Sequence, residues 1–595
     1  MPKAFGPNQE CRMQTVVGGE VVAAMLAKEG VDKVFGIVDG TYLGFYASFD
    51  KYGIELVSPR HETSAAHMAG AYARLTGKLG VCMASNGPGV ANVLPGVAVE
   101  NGEGNRVLLI TSCRRQGIAY PDRGGTFQYF DQVAVTRPMT KWSGAVPSFD
   151  RIPEMMRRAF RIAYRGRPGV VHVDIPENVF NGTFTTAESF AREPSEYRAL
   201  AALEPRATDV ARIAELLSSA RLPLLHAGSG VVHSGAYAEL LRVAELLDAP
   251  VSTSWGARGA IPESHPLALP TSALEAVQAA RSGADCVLVV GSRLGETDFW
   301  GKAPYWGKLT EQRFVQVDLD EEVLGLNRPT ELSVHADARA FLGALARELE
   351  HRKPNDEQKR ARDARKGELH ALRAKAKGEL QAALENRSAP MPPAHVPHTL
   401  QKLLERDAIV VVDGGNTAVW AQFFHQVETP NSFLGTFKLG MLGAGVAQTL
   451  GAKLAAPTRQ VVCVIGDGAM GFPPQELETA VRQRLDVTFV VLCDRQWGMV
   501  KLTQQVGLGG MREVIARRGR HHQHRFRGNR FDELARAMGA HGERVASPDE
   551  LEAVLRRALA HRGPSVVHVD VDPMLHLWAP GLQLFKDMHQ EPAGG

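Results

Sequence analysis

Long apolar runs and paired cysteines are both missing from this 595-residue chain. No stretch approaches the roughly 20 apolar residues that a membrane-spanning helix needs, so an integral membrane protein is not expected. The first residues, 1 to 8, also lack the apolar core of a secretory signal peptide. The six cysteines show no metal-like spacing and stand at positions 11, 82, 113, 286, 463 and 493. We therefore expect a protein of the reducing cytoplasm.

A marked excess of either charge is also absent. The chain has 68 Lys and Arg against 65 Asp and Glu, which gives a formal net charge of +3. Its composition is that of an ordinary globular protein, with 44% hydrophobic and 22% charged residues. A nearly balanced charge provides no general attraction to nucleic acid or to a membrane surface. We therefore expect neither partner.

The chain is too long for one hydrophobic core, and its helix and strand signals alternate in three blocks. This pattern predicts an α/β protein with three doubly wound parallel-sheet domains. The residues 351–397 are charged and poor in aromatic side chains, so we interpret them as an exposed helical connector. The predicted boundaries are 1–190 and 206–350 for the first two domains, 351–397 for the connector, 398–575 for the third domain and 576–595 for a tail that could close over an active site.

The most informative stretch is 461–501. It begins with a buried-strand pattern that ends at Gly466-Asp467-Gly468, and a second β-branched strand ends at Cys493-Asp494. Adjacent parallel strands would bring Asp467 and Asp494 to the same carboxyl edge, where open α/β sheets bind ligands. Two carboxylates beside glycines suit a hard cation that holds a diphosphate. Taken alone, the Gly-Asp-Gly tripeptide could equally be an ordinary turn.

Two other stretches permit both a functional and a structural interpretation. Glu62 lies at a predicted strand-to-helix junction, where it could face a cleft or simply interact with the helix dipole. The segment 413–417, Asp-Gly-Gly-Asn-Thr, could form an anion-binding nest at a helix start, or Asn416 or Thr417 could merely cap that helix. The residues alone leave both alternatives open.

The combination of motifs resembles the acetolactate-synthase-like superfamily of thiamine-diphosphate (ThDP) enzymes. The stretch 461–501 is similar to its ThDP signature, a Gly-Asp-Gly followed some two dozen residues later by Asn, with Asp494 in place of that Asn. The runs 60–77 (RHETSAAHMAGAYARLTG) and 86–92 (NGPGVAN) closely resemble its pyrimidine-binding domain. The resemblance covers essentially all three blocks, which would be the pyrimidine-binding, middle nucleotide-binding-like and diphosphate-binding domains.

The resemblance implies ThDP and Mg²⁺ as cofactors and assigns a role to each matching position. Glu62 would hydrogen-bond the aminopyrimidine and activate the cofactor, and Gln128 would lie near cofactor and substrate. Asp467, Asp494 and the backbone carbonyl of Gln496 would hold the metal. The implied cofactor-binding residues are Gly415, Asn416, Thr417, Leu442, Gly466, Asp467, Gly468, Ala469, Asp494 and Met499. Because the two cofactor-binding domains of one site come from different subunits in this family, a homodimer or homotetramer is expected.

Three features favour a relative of the 2-hydroxyacyl-CoA lyases and oxalyl-CoA decarboxylases. The loop 414–417 is closer to theirs than to that of acetolactate synthases, and Arg161 stands where the coenzyme A enzymes carry arginine. The segment 512–530 is strongly basic and could attract the phosphates of coenzyme A. In the middle domain, Arg293 is a further candidate for a nucleotide contact. Arg161 could equally be an exposed helix charge, and the basic segment a solvated loop or an RNA-binding one.

We therefore expect a ThDP- and Mg²⁺-dependent carbon–carbon lyase. It would cleave a 2-hydroxyacyl-CoA to formyl-CoA and an aldehyde or ketone, or catalyse the reverse condensation. The first alternative is an acetolactate-synthase-like decarboxylase or carboligase of 2-oxo acids, with FAD as a less favoured additional cofactor. The second alternative is a catalytically degenerate scaffold. The acyl chain, the reaction direction and the choice between coenzyme A and FAD in the middle domain stay open.

Overall fold

The computed structural model describes residues 13–118, 123–186, 189–190, 192–505, 525, 527–588 and 592. The chain forms two compact units, Met1–Ala201 and Ala202–Gly595. The first unit contains one parallel sheet and the second contains two, and helices accompany each sheet. This is the predicted α/β architecture of three doubly wound sheets.

The first unit is built on a six-stranded parallel sheet with the order β3-β2-β4-β5-β7-β6. Its strands are Lys33–Gly36 (β2), Glu55–Val57 (β3), Gly80–Ala84 (β4), Val107–Cys113 (β5), Trp142–Ala145 (β6) and Val170–Pro176 (β7). Its α-helices are Gly18–Lys28, Leu43–Tyr46, Glu62–Thr76, Pro88–Glu103, Gln132–Thr136, Ile152–Tyr164 and Glu177–Asn181. A separate antiparallel pair, Gln14–Val17 (β1) and Thr183–Thr186 (β8), joins the two ends of this unit.

The middle part of the second unit contains a five-stranded parallel sheet with the order β10-β9-β11-β12-β13. Its strands are Pro223–Ala227 (β9), Val251–Thr253 (β10), Cys286–Val290 (β11), Arg313–Asp318 (β12) and Leu332–His335 (β13). Its α-helices are Ala207–Ser219, Ser229–Ser234, Tyr237–Leu247, Leu274–Gly283 and Ala338–Leu349.

The charged segment after the middle sheet contains the long helix Asp356–Ala382. Most of its residues are exposed, and Arg362 and Leu369 are buried. Arg362 donates hydrogen bonds from Nη1 to the carbonyl of Leu247 at 2.6 Å and from Nη2 to that of Ala220 at 2.8 Å. Leu369 packs against Ala276 and the other apolar residues of its cluster. Arg362 and Leu369 therefore fix the helix to the middle part of the unit, together with hydrogen bonds from Gln358, Arg365 and Arg373.

The third sheet has six parallel strands in the order β15-β14-β16-β17-β19-β18. They are Ile409–Asp413 (β14), Phe433–Leu434 (β15), Val461–Gly466 (β16), Thr488–Cys493 (β17), His541–Val545 (β18) and Ser565–Asp570 (β19). The α-helices of this part are His395–Leu403, Gly415–Phe424, Ala444–Ala455, Asp467–Met470, Glu476–Arg482, Phe531–Ala537, Pro548–Ala560 and Leu582–Asp587, and residues 498–505 are also helical.

The first and third sheets have the same strand order. In each, the second strand of the chain lies at one edge, the first and third follow, and the sixth lies between the fourth and the fifth. The pentapeptide Val-Val-His-Val-Asp occurs on the sixth strand of both, at 170–174 and at 566–570. None of the helices described is long and apolar enough to cross a membrane.

Candidate cofactor site

The carboxyl edge of the third sheet brings Asp467 and Asp494 together. Strands β16 and β17 pair in parallel, with Gly466 opposite Leu492, so the residues that follow them emerge side by side. Asp467 is the first residue of a short helix and is 5% exposed, while Asp494 is 7% exposed. Burial and the charge of Asp494 raise the pKa of the Asp467 carboxyl. Two buried carboxylates this close would be stabilised by a bound cation.

Backbone amides fix the orientation of Asp467. The N–H of Gly468 donates to its Oδ1 at 2.8 Å and the N–H of Arg495 donates to its Oδ2 at 2.8 Å. Gln496, the proposed source of a backbone ligand, is buried, and its Nε2 donates to the carbonyl of Pro573 at 2.6 Å. Its Oε1 accepts from Nζ of the buried Lys501 at 2.8 Å. The side chain of Gln496 is therefore engaged by protein groups, while the proposed ligand is its backbone carbonyl.

Additional ligands for a cation would have to come from other oxygen atoms. Within the residues that the structure describes, no group of three or more His, Cys, Asp or Glu side chains could hold a metal. Mg²⁺ prefers six oxygen ligands and often takes several of them from phosphate groups and water. The two carboxylates therefore fit a magnesium ion that is shared with a bound diphosphate better than they fit a metal site made by side chains alone.

Asn416 lies on the neighbouring strand-to-helix connection, in the first turn of the helix Gly415–Phe424. Its side chain is 4% exposed, and neither its Oδ1 nor its Nδ2 has a hydrogen-bond partner among the described residues. Buried amides are normally paired, because an unpaired buried polar group costs roughly 1–3 kcal/mol. The unpaired amide of Asn416 therefore indicates a polar ligand at this position, as a diphosphate would be.

Three glycines around Asn416 leave no room for a side chain. A Cβ on Gly498 would lie 2.6 Å from Nδ2 of Asn416, and one on Gly466 would lie 3.1 Å from Oγ1 of Thr417. Gly414 precedes the helix with φ of 87°, a conformation that favours glycine, and a Cβ there would lie 3.2 Å from the backbone N of Gly466. The glycines let the backbones of two connections approach closely, which is also what a phosphate-binding loop requires.

The three apolar residues that the resemblance assigns to cofactor binding all belong to the part of the chain that forms the third sheet. Leu442 is half-buried and directly precedes Gly443, whose φ is 89°. Met499 is half-buried beside Gly415, since a Cβ on that glycine would lie 3.2 Å from Cβ of Met499. Ala469 is buried in the short helix that starts at Asp467. The structure thus provides apolar surface close to the acidic pair and the glycine loop.

His576 is a buried residue at this site that the sequence did not reveal. It is 4% exposed, its Nδ1 lies 2.7 Å from Oδ2 of Asp494, and its Nε2 lies 3.2 Å from Oγ1 of Thr417. Eighty-two residues separate His576 from Asp494. No local spacing signals a contact over that distance, so only the folded chain brings this histidine to the site.

The first unit contains the other predicted catalytic residues, Glu62 and Gln128. Glu62 begins the helix Glu62–Thr76 and is half-buried, and Nδ2 of Asn92 donates to its Oε2 at 3.1 Å. The hydroxyl of Thr63 donates to the carbonyl of Asn92, which ties the two helix starts together. The carboxylate of Glu62 therefore lies at the carboxyl edge of a parallel sheet, and the hydrogen bond from Asn92 fixes its orientation.

Gln128 is exposed and has an unusual backbone conformation, with φ of 55°. Its carbonyl accepts a hydrogen bond from Nδ2 of Asn86 at 3.0 Å. It also packs directly on Gly87, where an added Cβ would lie 2.8 Å from Cβ of Gln128. The N–H of Gly87 in turn donates to Oε1 of the buried Gln132 at 2.9 Å. This strained, supported geometry is typical of functional loops.

The two candidate nucleotide-binding arginines lie in different units. Arg161 is exposed on the helix Ile152–Tyr164, and its Nη1 donates to the carbonyl of Tyr197 at 3.3 Å. It borders an open cleft of about 1050 Å³ that is also lined by Arg157, Arg192 and Arg198. Arg293 is half-buried after β11 in the middle sheet. Of the basic segment 512–530, residues 512–524 and 526 lie outside the described residues.

The C-terminal tail begins at His576, beside Asp494, and runs to residues of the middle part of the unit. Leu577 is buried, and the helix Leu582–Asp587 follows Gly581. A Cβ on Gly581 would lie 2.5 Å from the ring of Phe423 and 2.8 Å from Leu274. The described tail is therefore packed against both parts of the second unit, and its role as a lid stays a prediction.

The fold and this site are those of an α/β protein suited to hold a diphosphate cofactor at a sheet edge. Family models for thiamine pyrophosphate enzymes match in three places: the N-terminal TPP binding domain over 16–135, the central domain over 210–345, and the C-terminal TPP binding domain over 413–569. The chain belongs to this family, and within it to the acetolactate-synthase-like superfamily. It is an enzyme that uses ThDP for carbon–carbon bond chemistry.

Individual relatives match nearly the whole chain. An acetolactate synthase large subunit of Mycobacterium tuberculosis is 31% identical, and the match covers 94% of this chain and 96% of the relative. The isozyme 3 large subunit of Escherichia coli acetolactate synthase is 30% identical over 94% and 95%. The X-ray structure of a proposed thiamin diphosphate-dependent enzyme from Mycobacterium smegmatis has a TM-score of 0.75, 23% identity, and coverage of 94% and 100%. The comparisons give no support for a 2-hydroxyacyl-CoA lyase in particular.

Proposed function

We propose that this chain is an acetolactate-synthase-like carboligase that acts on 2-oxo acids with ThDP and Mg²⁺. The observation that carries the cofactor assignment is the unpaired amide of Asn416 beside the buried carboxylates of Asp467 and Asp494. The substrate class follows the names of the relatives that match the chain over nearly its full length. This reverses the order of preference that the sequence motifs favoured.

The residues of the third sheet would hold the cofactor. Asp467, Asp494 and the carbonyl of Gln496 would bind Mg²⁺, and Asn416 would bind a diphosphate oxygen with its Nδ2. Gly415, Thr417, Gly466, Gly468 and Ala469 would form the backbone surface around the diphosphate. When bound, ThDP supplies a nucleophilic carbon and an electron sink for the substrate carbonyl. Leu442 and Met499 would support the rings and exclude water from them.

Glu62 would hold a proton at its carboxyl group and exchange it with the aminopyrimidine. The hydrogen bond from Asn92 fixes the orientation of that carboxyl group. Gln128 would present its side-chain amide to the substrate. The contacts with Asn86 and Gly87 would hold the backbone of Gln128 in the unusual conformation that this requires. A general acid–base group such as the carboxyl of Glu62 contributes a factor of about 10² to 10⁴ to a rate.

The two sets of residues would meet in a homodimer or in a dimer of dimers. The Glu62 set belongs to the first compact unit and the Asp467 set to the second. Each catalytic site would combine the first unit of one subunit with the second unit of another. Analytical ultracentrifugation is expected to show at least a dimer with ThDP and Mg²⁺, and a monomeric holoenzyme would contradict this arrangement.

Turnover assays test the proposed substrate. The protein loaded with ThDP and Mg²⁺ should convert pyruvate to carbon dioxide and acetolactate, and the protein dialysed against a chelator without ThDP should not. A 2-hydroxyacyl-CoA should be a poor substrate in the same assay. Cleavage of the thioester at a rate well above that of pyruvate would contradict the 2-oxo acid assignment.

The arginine-lined cleft favours a coenzyme A thioester lyase as a second candidate. Arg157, Arg161, Arg192 and Arg198 border one open cleft, and arginine binds phosphate groups well. Two of these arginines already have carboxylate partners, since Arg192 lies 3.6 Å from Glu196 and Arg198 lies 2.7 Å from Glu29. If this candidate were right, Arg161→Gln would raise KM for a 2-hydroxyacyl-CoA about tenfold while Arg151→Gln would not.

FAD is a separate additional possibility for the second unit. An apolar cleft of about 690 Å³ lies between the middle and third sheets, and Trp255, Phe299 and Phe423 contribute aromatic surface to it. Aromatic side chains are suited to a planar ring system. Flavin absorption in the purified protein would support FAD, and its absence after purification with added FAD would exclude a tightly bound flavin.

A further inference from the structure

The contact between Asp494 and His576 shows how this chain accommodates an aspartate where its family carries asparagine. Three groups of the protein contact the Asp494 carboxylate. The N–H of Gln496 donates to Oδ1 at 3.2 Å, Nε2 of Gln496 donates to Oδ2 at 3.2 Å, and Nδ1 of His576 lies 2.7 Å from the same Oδ2. Oδ2 therefore has two side-chain partners, while Oδ1 has one long backbone contact.

The hydrogen-bond partners of His576 assign its tautomer. Asp494 offers an acceptor to Nδ1, so Nδ1 carries the proton, and Nε2 then accepts from the hydroxyl of Thr417 at 3.2 Å. The indole N–H of Trp420 donates to the carbonyl of His576 at 3.1 Å, and the N–H of His576 donates to the carbonyl of Asp572 at 2.9 Å. The ring is thus held from both its nitrogens and its backbone.

We infer that His576 is a positioning residue that fixes Asp494 for the cation and joins the metal site to the diphosphate loop. This inference rests on the proposed cofactor site. By binding Oδ2, the imidazole leaves Oδ1 as the oxygen with free lone-pair capacity for Mg²⁺. By accepting a hydrogen bond from the hydroxyl of Thr417, the imidazole also links the loop that contains Asn416 to Asp494. An asparagine at position 494 would be neutral and would have only one oxygen, so it would need no partner to choose between two carboxylate oxygens.

The contact of His576 with Asp494 also anchors the start of the C-terminal tail. His576 opens the tail, and the segment that follows it is buried at Leu577 and Ala579. The tail is therefore anchored at the metal site through an imidazole side chain. Residues that orient a metal ligand typically change metal affinity by 10- to 100-fold when they are removed.

The experiment measures the Mg²⁺ concentration that half-saturates ThDP binding, by calorimetry and without substrate. His576→Phe is expected to raise that concentration about tenfold, because it removes both ring contacts. His576→Asn keeps a donor near the position of Nδ1 and should stay within about threefold of the wild type. The matched control His561→Phe changes an exposed histidine of the same part of the chain and should have no effect.

A double-mutant cycle separates positioning from simple support of the fold. In an Asp494→Asn background, His576→Phe should have little further effect on the Mg²⁺ requirement, because the carboxylate that it orients is gone. An equal tenfold effect in both backgrounds would contradict the inference, as would an unchanged requirement in His576→Phe alone. If His576→Phe does not fold, His576→Ala, which also removes both ring contacts, replaces it in the same cycle with the same two expected outcomes.

The outcome for the wild type distinguishes the inference from the function on which it rests. If the wild type binds ThDP with Mg²⁺ and His576→Phe has the same Mg²⁺ requirement, only the inference fails. If the wild type binds no ThDP at any Mg²⁺ concentration, the proposed cofactor site and the inference both fail.

Discussion

The first and third sheets share one strand order but carry different chemistry, and the pentapeptide Val-Val-His-Val-Asp makes the contrast sharp. It places Asp174 and Asp570 at matching positions on the sixth strand. Burial raises the pKa of Asp174 to about 6, and hydrogen bonds from Thr111, Cys113 and Gln132 offset only part of this effect. Burial also acts on Asp570, but hydrogen bonds from His568 and Arg544 outweigh it and hold its pKa well below the usual range.

The difference lies in the neighbours that each carboxylate meets. The hydrogen-bond donors to Asp174 are neutral, because Nε2 of Gln132 donates to its Oδ1 at 2.8 Å and the hydroxyl of Thr111 donates to the same oxygen. Arg544 binds Asp570 through Nε at 2.6 Å and Nη2 at 3.0 Å. Bidentate hydrogen bonds from a charged arginine stabilise the ionised carboxylate. Neutral donors offset only part of the rise in pKa that burial causes. The same five-residue sequence on two equivalent strands therefore does not determine the pKa of the aspartate that ends it.

The carboxyl edges of the two sheets differ in the same way. The third strand of the first sheet leads into the neutral sequence Asn86-Gly87-Pro88, while that of the third sheet leads into Gly466-Asp467-Gly468. The first edge carries Glu62, whose carboxyl group suits proton transfer, and Gln128, whose amide can form hydrogen bonds. The second edge carries the acidic pair, which suits a cation and a diphosphate. A common topology thus supplies two edges, and under the proposed function a few residues would adapt each edge to one half of the cofactor.

The largest effect is expected from the acidic edge. Asp467→Asn removes one of the two carboxylates that we assign to Mg²⁺, so ThDP affinity measured by calorimetry in the presence of Mg²⁺ should fall about 100-fold or more. Asp486→Asn, at an aspartate outside the site in the connection before β17, serves as the control and should bind ThDP normally. Normal affinity in Asp467→Asn would show that the acidic edge is not the metal site.

The edge of the first sheet should respond differently. Glu62→Gln should lower kcat about 100-fold while ThDP binding and the thermal unfolding midpoint stay close to the wild-type values, because the carboxyl group acts on protons and not on the diphosphate. Glu55→Gln, at an exposed glutamate of the same sheet, is the matched control. A Glu62→Gln variant with full activity would remove the catalytic difference between the two edges.

A smaller loss is expected where the first sheet supports Gln128. Gly87→Ala should lower kcat about tenfold, since its Cβ would collide with Gln128 at 2.8 Å and the backbone φ of 66° disfavours alanine. Gly30→Ala has a similar φ of 79° but no atom within 4 Å of the added Cβ. Steady-state assays of both variants separate displacement of Gln128 from backbone strain, and equal losses in the two would contradict the displacement.

The two matching aspartates should respond with opposite sign to loss of charge. The pKa of Asp174 is raised from 3.8 to about 6 on folding, so ionisation destabilises the fold as pH rises through this range. Asp174→Asn should therefore stabilise the protein by up to about 3 kcal/mol at pH 8 and by little near pH 4. Chemical denaturation at the two pH values measures the difference.

Asp570→Asn should instead destabilise the protein at pH 8, by roughly 1–3 kcal/mol, because Arg544 loses its ionised partner. The folded-state pKa of Asp570 is lowered, so its contribution is present above the usual aspartate pKa and is lost as pH falls through and below it. The loss caused by Asp570→Asn should thus shrink at acid pH. The same sign of effect for both variants would contradict the contrast between the two strands.

Much of the fold was accessible from the sequence because buried parallel strands leave continuous apolar runs. The apolar runs at 286–290 and 461–465 of the sequence correspond to the strands Cys286–Val290 and Val461–Gly466. The antiparallel pairing of Gln14–Val17 with Thr183–Thr186 was not accessible, because it depends on contacts between segments far apart in the chain.

The candidate site was accessible only in part, for the same physical reason. Asp467 and Asp494 follow adjacent strands, so their neighbourhood could be predicted from local patterns. The contacts of Asn92 with Glu62 and of His576 with Asp494 join residues 30 and 82 positions apart and depend on the finished fold. The pentapeptide at 170–174 and 566–570 is a signal in the sequence itself, because it marks equivalent strands of the first and third sheets. Substrate preference left no local pattern that could be interpreted alone.

Mixed oligomers of two inactive variants test the central claim most directly. Chains with Glu62→Gln and chains with Asp467→Asn would carry different affinity tags, and oligomers that contain both would be purified in two steps and loaded with ThDP and Mg²⁺. If each site combines the edges of two subunits, a mixed dimer has one intact site and should recover about half of the wild-type activity. Mixed oligomers as inactive as either variant alone would contradict the account.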